Sequence, residues 1–475
     1  MTMMRSITAG LFALLLAGAA QAQTQAPTSA PLTDATADPI YTPRPVVTLT
    51  HPDWTKNAVL YQLNTRQFTP EGTFRAAQAE LPRLKALGVD VIWLMPIHPI
   101  GEINRKGTLG SPYSIKDYYG VNPEFGTLDD LKAFVAAAHA QGMKVILDWV
   151  ANHTAWDNVL TTTHPEWYQR DLDGHFRPTP WWDWSDIINL DYHHAGLRQY
   201  MTEALVYWVR EADIDGYRAD VAGFVPLDFW ETARKQMEAV KPVFMLAEWE
   251  MRDMHHAAFD ASYAWSWKEA MMKVADGDAD TNALATFYSW HESAYPREAM
   301  RMTYTSNHDQ NAWEGTEYEE YGPAREAAIV LSVVGEGIPL IYNGQEVGNR
   351  RRLAFFEKDP IVWPAGHALD EQGLLYQRLF ALKHANPALW NGQWGGLMHK
   401  VVNSAPTRVL SFFREKDGNQ VFAVLNLSGE PQTVTFEGTH HLGDYVDLDG
   451  AAATFAAGST IELPAWGWRV YVRPA

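Results

Sequence analysis

The sequence predicts an α/β fold: a closed (β/α)8 TIM barrel, with an insert after its third strand and a C-terminal antiparallel β-sandwich. Three observations carry this. Eight short apolar runs alternate with helical patterns. An irregular stretch at about 153–193 interrupts them after the third run. Beyond about Trp390 the helical patterns give way to alternating strands and tight turns.

The chain begins with Arg5, an apolar run from about Ala9 to Ala17 and the small-residue site Ala20-Gln21-Ala22. This order is that of a secretory leader, residues 1–22, cut after Ala22. The run is too short to span a membrane, so an exported protein, periplasmic or extracellular and without a membrane anchor, is expected. Residues 23–50 are rich in Pro, Thr, Ala and Asp and read as a flexible lead-in.

The barrel is expected over 51–392. Its strands are AVLYQLN (58–64), VDVIWLMP (89–96), KVILDWV (144–150), IDGYRAD (214–220), PVFMLAE (242–248), FDASYAW (259–265), RMTYTSN (301–307) and IPLIYNG (338–344). Helix candidates include FRAAQAELPRLKALG and LDDLKAFVAAAHAQG, the latter stopped by Gly142. Eight strand–helix units imply closure. An open doubly wound sheet would carry a Gly-rich, phosphate-cradling first turn, and none follows the first strand. Residues 393–475 read as the sandwich: TRVLSFFREKDGNQVFAVLNLSG is two strands about a Lys-Asp-Gly-Asn turn, and TVTFEG, TIELPA and WGWRVYV add more.

Composition narrows the function. A net charge of −19 argues against nucleic acid and anionic membranes as partners. The absence of cysteine excludes disulfides, thiolate metal sites and cysteine nucleophiles.

Barrel active sites lie at the C-terminal strand ends. The third strand ends in Asp148, followed by Asn152 and His153; Arg218 and Asp220 close the fourth; Glu248 closes the fifth; the seventh ends in Asn307, His308 and Asp309. Four carboxylates ending apolar strands are hard to explain by packing, because unpaired buried charge is costly. Glycoside hydrolysis needs one ionised and one protonated carboxyl group. Arg218 and Asp220, at i and i+2, share a strand face, so the cation is expected to lower the pKa of Asp220. Glu248 follows an apolar run and is expected to be raised by desolvation and by the like charge of Asp309. Glu250 is a rival acid if the fifth strand continues.

These residues resemble the α-amylase superfamily, glycoside hydrolase family 13. DWVANH (148–153), GYRADVA (216–222), MLAEW (245–249) and SNHD (306–309) match its four motifs in order. SPYSIKDYYGVNPEFGT (111–127) and GIPLIYNGQEVG (337–348) resemble two further stretches, and the likeness runs over roughly 55–390. It implies a retaining hydrolase of α-1,4-glucosidic bonds in starch, glycogen or maltodextrins, which the leader would export. Asp220 would be the nucleophile, Glu248 the acid and then base, and Asp309 a transition-state stabiliser. Tyr113, His153, Arg218 and His308 would bind the sugar; Asp148, Asn152 and Asn307 would support the site. No cofactor is required for this chemistry. Asp171 and Asp173 with Asn152 are a candidate calcium set.

Many α-amylases follow the second motif with Lys-His, used on the leaving-group side and, through the His carbonyl, for calcium. Here Gly223 and Phe224 stand there, and the text that follows is closer to neopullulanases and cyclomaltodextrinases. A neopullulanase or cyclomaltodextrinase, or an α-glucosidase or transglycosylase, is the alternative. A non-catalytic glucan-binding relative is the third reading.

Overall fold

The computed structural model describes residues 39–474. The leader and most of the lead-in lie outside them. Up to Pro45 the described chain carries a 3-10 turn, Pro39–Tyr41; Val46 onward forms a separate compact unit.

Eight parallel strands close into a barrel: β1 (Leu60–Leu63), β2 (Val91–Leu94), β3 (Lys144–Trp149), β4 (Gly216–Ala219), β5 (Phe244–Ala247), β6 (Ala261–Tyr263), β7 (Met300–Tyr304) and β8 (Ile338–Tyr342). β1 closes the ring, with Leu60 opposite both Val91 and Leu340. Seven of the strands lie within the apolar runs, and β7 starts one residue before its run, at Met300. Their continuous apolarity reflects burial on both faces. Leu60, Trp93, Ile146, Leu246, Met302 and Leu340 fill the interior. Their neighbours Tyr61, Ile92, Val145, Tyr217 and Met245 point outward, against the helical layer.

The helices follow local chemistry. Leu128–Ala140 starts at a capping box between Thr127 and Asp130, and Gly142 follows its C-cap with φ of 74°. The single helix expected over 74–88 is two: Phe74–Ala79 and Leu81–Leu87. Pro82 lacks an N–H and its ring crowds the preceding turn, so the helix restarts at Glu80 with the proline in its first turn. The insert after β3 is anchored by two short antiparallel strands, His153–Ala155 and Ile187–Asn189.

The C-terminal part is antiparallel. A six-stranded sheet, spanning Met398 to Arg473, faces a two-stranded ribbon of Gln432–Thr435 and Thr460–Leu463. Phe413, Phe422, Val434, Tyr445, Ile461 and Tyr471 pack between them. Val409–Lys416 and Asn419–Asn426 pair about Asp417 and Gly418, both with positive φ, as a two-residue type I′ hairpin requires. Met398–Lys400, Gly443–Asp447 and Ala452–Phe455 are strands that the sequence patterning did not single out. Arg414 ties this sheet to the barrel. Its buried guanidinium donates to the carbonyls of Gly335 (2.6 Å), Trp390 (2.9 Å) and Gly396 (3.0 Å), Gly335 following the helix Arg325–Val334.

Candidate active site

A cavity of about 540 Å³ opens at the C-terminal ends of the barrel strands, lined by Tyr113, His153, Asp220, Glu248, His308 and Asp309 among others. A larger hollow of about 720 Å³ lies between Arg325, Arg378 and the C-terminal sheet at Trp466 and Trp468, and no strand end of the barrel reaches it.

Backbone pairing sets the first relationship. Ala219 stands opposite Ala247 in the β4–β5 ladder. The ladder runs on past both strands: Asp220 N donates to Trp149 O (2.9 Å), and Glu248 N donates to Ala219 O (3.0 Å). Asp220 and Glu248 are thus successive residues on neighbouring strands, spaced about 4.8 Å apart.

Arg218, fully buried, faces three carboxylates. Its Nη1 donates to Asp148 Oδ1 (2.7 Å) and to Asp220 Oδ1 (2.9 Å). Nη2 lies 2.9 Å from Glu248 Oε1 yet makes no hydrogen bond. Nε donates to the Tyr263 hydroxyl at 3.3 Å, and the Trp93 ring lies 5.1 Å from the guanidinium carbon. One cation cannot neutralise three buried anions.

The acids respond accordingly. Burial raises Asp220 well above the usual carboxylate range, with Glu248 and Asp148 adding to the rise against the opposing pull of Arg218. Burial also raises Glu248, helped by Asp309. It pushes Asp148 and Asp309 up to about 6. The expectation that Arg218 depresses Asp220 is therefore corrected: desolvation and like charge outweigh a guanidinium shared among several acids. Asp148, Asp220 and Glu248 all face the one guanidinium of Arg218, so their protonation states depend on one another.

Glu248 is also held from the backbone. Val221 N donates to its Oε2 at 2.7 Å. Val221 adopts φ 36° and ψ 48°, a left-handed conformation that a β-branched residue takes only under constraint.

The histidines are neutral hydrogen-bonding groups. Burial lowers His153 to about 3 and His308 well below its usual value. The Gln62 amide donates to His308 Nδ1 (2.6 Å), leaving Nε2–H facing the Tyr113 hydroxyl (2.7 Å), which donates to Asp148 Oδ2 (2.9 Å). The Trp93 indole N–H donates to the same carboxylate oxygen at 3.1 Å. Tyr113 stacks against His308 at 5.4 Å and against Phe355 at 6.1 Å. Asn307 Oδ1 accepts from the backbone N–H of Asp309 and of Gln310, both at 2.9 Å, and so orients Asp309.

Asn152 is buried beneath the insert, its amide donating toward His153 Nδ1 (3.2 Å) and Asn189 Oδ1 (3.4 Å). Asp171 and Asp173 lie instead in an exposed turn with His175, the three bringing ligand atoms within 4.8 Å of one another. Among the described residues no hydrogen bond joins Asn152 to either acid. Glu250 turns away from the cleft, pairing with Arg301 and with Ser266, because β5 ends at Ala247.

Gln62, Trp93, Tyr263 and the Val221 amide escape sequence reasoning. Gln62 alone left a trace, as a polar residue inside the run AVLYQLN.

Fold and cleft define the class of the chain: a (β/α)8 glycoside hydrolase. It belongs to the α-amylase family, residues 50–368 matching the description "Alpha amylase, catalytic domain". It is 29% identical over 406 residues to Alpha-amylase MalA of Haloarcula japonica, covering 81% of this chain and 57% of that protein. It is 25% identical over 438 residues to a Cyclomaltodextrinase of a Bacillus species, covering 80% of this chain and 75% of that one. Among solved structures, the noncanonic maltogenic alpha-amylase AmyB of Thermotoga neapolitana superposes with a TM-score of 0.81 at 31% identity, over 89% of this chain and all of that one. An alpha-amylase of Lactobacillus plantarum gives 0.77 at 32%, over 88% and 99%.

Proposed function

We propose that the chain hydrolyses α-1,4-glucosidic bonds of maltodextrins and related α-glucans with net retention, through a covalent glycosyl-enzyme. The observation that carries this is the side-by-side placement of Asp220 and Glu248 on adjacent strands. Strand spacing of about 4.8 Å favours the short carboxylate separation of retaining enzymes, roughly 5–5.5 Å, over the roughly 6.5–9.5 Å of inverting ones.

Asp220 keeps a true hydrogen bond to Arg218, whereas Glu248 has only an off-axis approach. In this reading the proton rests on Glu248 and Asp220 is the ionised member, as the roles of general acid and nucleophile require. An Asp220 oxygen attacks the anomeric carbon while the bond to the leaving oxygen breaks and Glu248 passes its proton to that oxygen. Water then attacks the same carbon, Glu248 takes its proton, and Asp220 is released. Asp309, Tyr113, His153 and His308, which line the cavity, would hold the glycone. The leader-like N-terminus supports export, and no step calls on calcium.

A cyclomaltodextrinase-type preference is the second reading. It is favoured by Gly223 and Phe224 beside Trp249 on the leaving-group side and by the relatives so named.

A 5-fluoroglucosyl fluoride should label Asp220, and proton NMR should show the α-anomer forming first. Label on another residue, or β-anomer appearing first, would overturn the assignment.

A further inference from the structure

The two ends of the cleft are built differently. The segment 101–111, which follows β2, is tied on both sides. Toward the insert, the Lys106 ammonium donates to the Asp183 carbonyl and lies 3.7 Å and 3.8 Å from the Asp183 and Asp186 carboxylates. Toward the loop after β8, Thr108 N donates to Glu357 Oε1 (2.8 Å), the Thr108 hydroxyl bonds the other oxygen of that carboxylate, and Leu109 N donates to Phe356 O (3.1 Å). Gly107 has φ of 63°, and a β-carbon there would sit 2.5 Å from Cβ of Phe356, so the two loops touch backbone to side chain. Arg66, buried beyond β1, donates to Gly110 O at 3.0 Å from beneath. Lys106, Trp184, Phe355 and Phe356 all face the cavity.

The opposite end has no such brace. Among the described residues no hydrogen bond or ion pair joins residues 156–190 of the insert to residues 221–256 after β4 and β5. Phe224 stands there 41% exposed.

In the retaining reading on which this inference rests, Glu248 protonates the leaving oxygen. The leaving group then extends toward Phe224 and Trp249. The glycone lies toward Tyr113 and His308, under the braced wall. We propose that Lys106 and the 107–109/356–357 contact close the glycone end of the cleft, so that the enzyme acts at non-reducing ends of short α-glucans and releases mono- or disaccharide units. Lys106 acts through the wall, as a positioning residue.

The test compares reducing-end-labelled aryl maltoheptaoside with the same compound capped on its non-reducing 4- and 6-hydroxyls. The wild type should cleave the free substrate at least about tenfold faster than the capped one, its first labelled products being shortened by one or two units. Lys106→Ala should narrow that ratio, while Lys106→Arg, which keeps the ion pairs, should preserve it. Phe356→Ala, at the other tie, should narrow it too and serves if Lys106→Ala does not fold. Equal rates on capped and free substrate in the wild type, or interior cleavage products, would overturn the closed end while leaving glycosidase activity intact. So would an unchanged ratio in both wall variants. No turnover of the free substrate would overturn the glycosidase reading itself, and the closed end with it.

Discussion

The Trp249 indole lies across Gly223 so closely that a β-carbon on residue 223 would sit 2.0 Å from its Cε2. The glycine is therefore a seat for the ring beside Glu248, and Phe224 meets the same indole edge-on at 5.4 Å. Gly223→Ala should lower stability by about 1–3 kcal/mol, the usual cost of overpacking. Trp249→Ala in the same chain should recover much of that loss. Additive losses in denaturant midpoints would show that the ring and the glycine are not coupled.

Gln62 fixes the tautomer of His308 by donating to Nδ1. Gln62→Leu removes that donor and leaves a buried acceptor unpaired, at about 1–3 kcal/mol. The expected result is a fall in kcat/KM of roughly tenfold or more. An unchanged kcat/KM would mean that the contacts of Nε2 with Tyr113 and Asp309 suffice to orient His308.

The pH dependence of activity should follow the carboxylate cluster. Asp309 and Asp148, pushed up to about 6, take up protons below that pH, so the acid limb of kcat/KM should fall near pH 6. Asp309 also raises Glu248. Asp309→Asn removes that like charge, lowers the pKa of Glu248 and should move the alkaline limb of the residual activity to lower pH. A limb that stays in place or moves upward would contradict the coupling.

Stability should respond to pH away from the cleft. Burial raises Glu320 and Glu317 to about 7. Glu320 accepts from Lys268 at 2.9 Å, while its second oxygen is buried without a partner. A carboxyl group raised in the folded state binds protons that the unfolded chain has released. Its stabilising contribution is full below about 4.5, the unfolded value, and is lost as pH rises through about 7. For Glu320 the rise from about 4.5 to about 7 is worth up to about 3 kcal/mol. Melting temperature should decline between pH 5 and 8, and Glu320→Gln should flatten that decline. An equal slope in the variant would place the titration elsewhere.

Much of the barrel was legible because a strand buried on both faces is written as an apolar run, and eight such runs survive without alignment. The acids were legible for the complementary reason: Asp148, Asp220 and Glu248 end such runs, where a charge has no packing role. What stayed hidden depends on three-dimensional sharing. Arg218 reads as the private partner of Asp220, two residues away, yet it also faces Asp148 and Glu248. Only the fold counts those anions together, and that count reverses the expected direction for Asp220. Val221 acts through its backbone N–H, which the sequence spells the same for nearly every residue type. Trp93 and Tyr263 looked like core and are core, with one polar atom each turned to the site.

The contacts of Arg414 carry a consequence for modularity. Two of the carbonyls that it saturates, Gly335 and Trp390, belong to the barrel, and the residue that saturates them belongs to the sheet. Excising the sheet would not trim an appendage; it would strip a bung from the barrel and leave those oxygens facing an apolar scar. The two parts should accordingly melt together, and a graft of this barrel onto a foreign sheet would have to bring its own arginine.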